Sequence, residues 1–158
     1  MKKLTLIVAF LMIFTRCTND SYEDQSDLLI GSWAITEIME DSSLSQSLQY
    51  TFNADKTFVS SRVIIDNTTN EIIGYRYRAL GTYDISRDIL GLRKSEIYLH
   101  DDLSGLFSDI NALELANYSD ETTINFLIDD SQNLLTFIYP PCGPAESCLG
   151  NQIFQRIE

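Results

Sequence analysis

Ile73-Gly74-Tyr75-Arg76-Tyr77-Arg78-Ala79-Leu80-Gly81-Thr82-Tyr83-Asp84-Ile85 alternates in character with a period of two. One face carries Ile73, Tyr75, Tyr77, Ala79, Gly81, Tyr83 and Ile85; the other carries Gly74, Arg76, Arg78, Leu80, Thr82 and Asp84. Successive side chains of a strand point to opposite sides of its sheet, so this pattern predicts a strand with one face in a core. Thirteen residues is long for one strand, and Gly81 is the natural place for a bend or a bulge.

The same period recurs on both sides. Ser32–Met39, Leu48–Phe52, Thr57–Ile65, Ser95–His100, Thr122–Asp129, Asn133–Tyr139 and Gln152–Ile157 read as further strands, eight with the first. Asn53-Ala54-Asp55-Lys56, Asp66-Asn67-Thr68-Thr69-Asn70 and Asp130-Ser131-Gln132-Asn133 are rich in turn formers and join neighbouring strands as hairpins. Consecutive hairpins predict an antiparallel meander, and eight strands suffice to close a barrel. The expected fold is therefore mostly β, an eight-stranded meander barrel with one short helical insert. That insert is predicted after Asp102, as N-cap, where Leu103, Leu106, Phe107, Ile110 and Leu113 follow helical spacing up to Tyr118. It is expected to lie against one end of the barrel. His100, beside Asp101 and Asp102, reads as an exposed turn histidine.

The N-terminus reads differently. Lys2 and Lys3 precede an apolar run from Leu4 to Phe14, too short to span a bilayer and right for the core of a signal peptide. Thr15-Arg16-Cys17 follows, and a cysteine closing such a run resembles the lipobox of bacterial lipoproteins, although Arg16 stands where a small residue is usual. That resemblance implies a leader over 1–16, an acylated Cys17, and an exported protein held to a membrane by its lipid; the alternative is an ordinary secretory signal with a chance cysteine. Residues 17–27 are polar and acidic and read as a tether, leaving 28–158 as one domain large enough for a core. An acidic stretch after the lipidated cysteine also resembles an export signal to the outer membrane or cell surface, so the expected location is the cell envelope.

The chain has 11 basic and 23 acidic residues. Losing Lys2, Lys3 and Arg16 with the leader leaves 8 against 23, a net charge of −15. Such a surface repels phosphates, which argues against nucleic acid as a partner. With Cys17 lipidated, Cys142 and Cys148 remain, flanking a Pro- and Gly-rich loop in a compartment where disulfides persist. A bridge between them is expected to contribute about 2 kcal/mol; a metal site is the rival, weakened by there being a single histidine. No nucleophile elbow, phosphate-cradling glycine run or calcium loop is present, so neither an enzyme nor a cofactor is expected.

Several short pieces, in order, resemble the bacterial lipocalin-like lipoproteins: Gly31-Ser32-Trp33 at the start of the first strand, Phe52-Asn53-Ala54-Asp55-Lys56-Thr57-Phe58, Gly81-Thr82-Tyr83-Asp84-Ile85, and the closing Phe154-Gln155-Arg156. The resemblance spans Gly31 to Arg156 and implies a ligand-binding barrel in which Gly31, Trp33 and Arg156 are structural. Physically, a tryptophan near the start of strand one can plug the narrow end, and an arginine from the last strand can stack on it once the sheet closes. Tyr75, Tyr77 and Tyr83, with Phe58, Phe126 and Phe137 from other strands, are the candidate lining for a small hydrophobic or amphiphilic ligand. Two alternatives stay open: the same rings simply fill the barrel, or the protein contacts an envelope partner through its surface.

Overall fold

In a computed structural model, residues 25–40, 43–101, 105–140 and 150–157 are described. Cys17, Cys142 and Cys148 lie outside them, as do the leader and most of the tether. A five-residue helix, α1 (Gln25–Leu29), precedes nine strands: β1 (Gly31–Ile38), β2 (Leu44–Phe52), β3 (Thr57–Asp66), β4 (Glu71–Ser86), β5 (Ile89–Leu99), β6 (Glu114–Leu115), β7 (Asp120–Ile128), β8 (Leu134–Ile138) and β9 (Gln152–Arg156). Every pairing is antiparallel, and β4–β5 joins the two ends of the row β4-β3-β2-β1-β9-β8-β7-β5, so eight strands form a closed ring. The two-residue β6 hangs on β5. Closure leaves no long sheet edge unpaired, which is the advantage of a barrel over an open sheet.

The turns follow from local chemistry. Lys56, Asn70, Arg87 and Gln132 each close a hairpin with positive φ. Asp55, Asp66 and Asp129 accept hydrogen bonds from backbone N–H groups two to five residues on; the Thr57 and Ser131 hydroxyls, ahead of the backbone groups, hold Asp55 and Asp129 below the usual carboxylate range, and the Thr68 and Thr69 N–H groups do so for Asp66. The hairpin at Arg87-Asp88 carries no glycine or proline to mark it, and the strand predicted from Ser95 in fact begins at Ile89. Likewise β2 begins at Leu44, not Leu48, because the serines at 45 and 47 hide its alternation.

Gly81 sits at a bulge, as its position in the long strand suggested. The β4–β5 register shifts between Leu80 and Gly81, leaving Ser95 as the extra residue on β5. A methyl group at Gly81 would lie 2.1 Å from the Arg93 carbonyl oxygen, so the close approach of two backbones requires glycine there. Two further shifts, opposite Arg62/Val63 and Ile64/Ile65, bend the other half of β4.

Two segments differ from their sequence reading. Residues 25–27, read as the end of the tether, form the first part of α1, whose Leu29 is fully buried and whose Leu29 carbonyl accepts the Trp33 indole N–H at 2.8 Å. The chain then turns from α1 into β1 through Gly31 at φ 128°, a conformation that L residues avoid. The segment after residue 104 is helical only for one 3-10 turn, Ile110–Ala112, and not along an amphipathic helix. Gly105 at φ 124° and extended backbone at Asp109 and Leu113 break the helical path. The segment spends its backbone groups on strands instead: Ser108 pairs with Tyr75, and Glu114–Leu115 pairs with Tyr98 and Leu99.

Candidate binding site at the barrel mouth

The interior face of each strand is set by alternation from its buried residues, and the barrel divides into two halves along its axis. One half is solid. Leu29, Trp33, Phe52, Phe58, Tyr83, Leu90, Leu92, Ile124, Phe126, Leu135, Phe137 and Phe154 form one cluster, none of them more than 3% exposed. Its rings interlock: Phe52 meets Tyr83 edge-on at 5.1 Å and lies 6.1 Å from Phe58, while Phe137 and Phe154 are 4.9 Å apart. Trp33 and Arg156 are cross-strand partners at the β1–β9 seam, with the guanidinium 4.1 Å from the ring centroid. The same guanidinium donates to the carbonyls of Leu28, Ile30 and Gln132. This end is thus plugged by α1 and fastened by the first and last strands.

Of the residues expected to line a ligand space, Phe58, Phe126, Phe137 and Tyr83 belong to this filled half. The Tyr83 hydroxyl donates to the Asn53 carbonyl at 2.8 Å, and the Lys56 ammonium lies over its ring, 5.2 Å from the centroid. Tyr75 is near the opposite end, where its backbone pairs with Ser108. Only Tyr77 of the six faces a polar interior: its hydroxyl lies 3.4 Å from the Ser60 hydroxyl, and it is close enough to Lys94 to help raise that ammonium's titration.

Tyr77 is one member of a belt that the expected lining did not include. Leu90, Leu92 and Lys94 point inward from β5, and Asp120, Thr122, Ile124 and Phe126 point inward from β7. Lys94 and Asp120 are direct partners, and their side chains form an ion pair. Tyr50 stands between this belt and the filled half, edge-on to Phe137 at 5.4 Å and Phe154 at 5.5 Å. Tyr139 donates to the Gln152 side-chain carbonyl at 3.1 Å. Arg62, inward on the same face as Phe58 and Ser60, pairs with Leu48 on one side and Tyr77 on the other, and is exposed. The signal for Lys94 and Asp120 was in the alternation: a charged residue continuing an apolar inward row faces the interior.

The electrostatics agree with a partly dry belt. Burial pushes the Tyr50 phenol well up, and the neighbouring Tyr139 and Tyr77 push it further, against the opposing pull of Arg62. Tyr139 is raised by burial, with Lys94 pulling it back. Burial alone would lower Lys94, but hydrogen bonding to Asp120 and Tyr77 and their charges outweigh it, so its ammonium titrates above the ordinary lysine range.

The segment 105–108 folds over part of the mouth. A methyl group at Gly74 would lie 2.1 Å from the Phe107 ring, so Phe107 rests directly on the β4 backbone. Leu106 reaches the lip of the β1–β2 hairpin, where Glu37, Ile38, Met39, Glu40, Leu44 and Gln46 complete an open cleft of about 310 Å³. His100 pins this flap. It is buried, not exposed as its acidic neighbours suggested: one ring nitrogen lies 2.7 Å from the Gly105 carbonyl and the other 3.1 Å from the Ser108 hydroxyl. Because a carbonyl can only accept, Nε2 carries the hydrogen in the bond to Gly105.

Comparison with protein-family models, curated proteins and solved structures finds no match for this chain.

Proposed function

We propose that this chain is a lipid-anchored cell-envelope protein whose lipocalin-like barrel binds one small amphiphilic molecule in its open half. The observation that carries the ligand reading is the division of the interior. A barrel needed only for packing has no use for an inward ion pair and three tyrosines above a complete apolar core, since burying polar groups costs free energy that apolar residues would not. Polar groups in a cup beneath an apolar rim are what an amphiphile requires. The proposed anchor, an acyl group on Cys17, rests on the leader and lipobox resemblance, and the outer membrane on the acidic stretch that follows. Cys17→Ser is expected to release the protein from the membrane fraction or block its maturation; unchanged fractionation and migration would overturn the anchor. A disulfide between Cys142 and Cys148 is part of the same proposal, since export favours it.

For the ligand, native mass spectrometry of protein released gently from its own membranes is expected to show an added small mass. Its persistent absence, together with no response to added amphiphiles, would favour a second reading. That reading is a protein-contact module, and the outer surface offers one supporting feature: Leu127 and Ile153, 54% and 52% exposed, flank Thr136 in one cross-strand row.

A further inference from the structure

We propose that the mouth selects amphiphiles with a single anionic head group, taken head first, with Arg62 as the residue that recognises the charge. This deepens the ligand reading above and rests on it. Four ionisable side chains of settled sign face it from the strands: Arg62 on β3, Lys94 on β5, Asp120 on β7, and Glu37 on β1. Lys94 and Asp120 neutralise one another. Arg62 is left with no carboxylate within ion-pair distance among the described residues, in a chain of net charge −12. An arginine without a carboxylate partner among the described residues, on an interior face of so acidic a protein, is a place where an anion gains and a cation loses.

The heights of the charges fix the orientation. Leu48, Arg62 and Tyr77 are successive cross-strand partners, one interior step below Glu37 and Gln46. Glu37 and Glu40 stand exposed at the lip. An anionic head left at the rim would meet two carboxylates; one step deeper it meets a guanidinium able to bond a carboxylate through two parallel N–H groups, with the Tyr77 hydroxyl beside it. The apolar surface lies on the outer side of that point, at Ile38, Met39, Leu44 and Leu106. Polar floor and apolar rim match head and tail in that order.

The test is calorimetric titration of the full chain held in lipid nanodiscs, with empty discs as blank. The titrants are octanoate, octan-1-ol and octylamine, which share a tail and differ in head charge. Octanoate is expected to bind at least about tenfold more tightly than either of the others, Arg62→Ala to remove that advantage while leaving octanol unchanged, and Arg62→Lys to retain most of it. Equal affinities, a preference for the amine, or full octanoate binding by Arg62→Ala would overturn the head-group inference while leaving the barrel a ligand binder. Failure of all three titrants to bind above the blank would sink both.

Discussion

The guanidinium carbon of Arg156 lies 4.1 Å from the centroid of the Trp33 ring, and the two residues are direct partners across the seam that closes the barrel. A stacked cation contributes about 0.5–2 kcal/mol depending on how dry it is. Three hydrogen bonds to the carbonyls of Leu28, Ile30 and Gln132 add to it and tie α1 and the β7–β8 turn to the last strand. Arg156→Ala is therefore expected to lower unfolding free energy by about 3 kcal/mol, read from the denaturant midpoint. Arg156→Lys should recover only part, since an ammonium cannot reproduce a fork that serves three acceptors. A loss below about 0.5 kcal/mol for the alanine variant would mean that the seam does not depend on this contact.

Gly81 gives a second, sharper expectation. Its missing side chain is occupied by the Arg93 carbonyl oxygen, 2.1 Å from where a Cβ would stand, and backbone on a paired strand has little room to retreat. Gly81→Ala should cost about 3 kcal/mol or prevent folding. Gly150→Ala is the control, because nothing lies within 4 Å of its added methyl group. Thermal unfolding of the two variants side by side decides the matter; a silent Gly81→Ala would mean that the bulge can relax.

The contrast between these residues and the candidate site shows which parts of the molecule were legible in its sequence. Trp33, Gly81 and Arg156 could be placed because their roles follow from element order: the first strand meets the last, and a long strand must bend. The filled half was legible as composition, since Phe58, Phe126 and Phe137 alternate cleanly with polar neighbours. The belt was not, because it depends on which inward residues of different strands share a height, and bulges at β4 and β5 decide that. Tyr75 and Tyr83 share a strand face on paper with Tyr77, yet the barrel puts them near opposite ends. The segment after Gly105 carried a helical period in its sequence, but a backbone free to pair with Tyr75 and β5 was worth more than one turn of helix against solvent. His100 went astray for the same reason, its partners being supplied by that segment.

The belt should make the protein lose stability in alkali. Lys94, Tyr50 and Tyr139 all titrate in the folded state above their ordinary values of 10.5 and 10.0. Each therefore holds its proton more tightly folded than unfolded. The resulting stabilisation is fully present below about pH 10 and is lost as pH rises through the folded values. The denaturant midpoint should fall from about pH 10 upward, and fall less steeply in Tyr50→Phe, which has no phenol to ionise there. The near-ultraviolet tyrosinate signal should show the corresponding late titration, missing in that variant. Parallel alkaline profiles for parent and variant would show that the Tyr50 phenol is not held in a dry site.

The flap supplies the last expectation. His100 binds Gly105 and Ser108, while the Tyr75 and Ser108 backbones exchange two hydrogen bonds of 2.8 and 3.1 Å. These groups form one local unit, attached to the barrel but outside its ring of strands. Removing the imidazole takes away both side-chain contacts and leaves a buried gap, so the unit should open locally without unfolding the whole. In His100→Ala, the Tyr75 and Ser108 amides are expected to exchange with solvent at least about tenfold faster, while strand amides in the filled half keep their protection. Gly74→Ala attacks the same unit from the other side, because its methyl group must displace the Phe107 ring. If the two variants loosen the same amides, the flap is a single hinged element over the mouth. Each should then also change how fast an amphiphile exchanges at the proposed site, because Leu106 of the same segment lines the cleft at the mouth. Were the two amides as protected in both variants as in the parent, the segment would be a fixed part of the barrel wall, and access would have to be through the cleft as it stands.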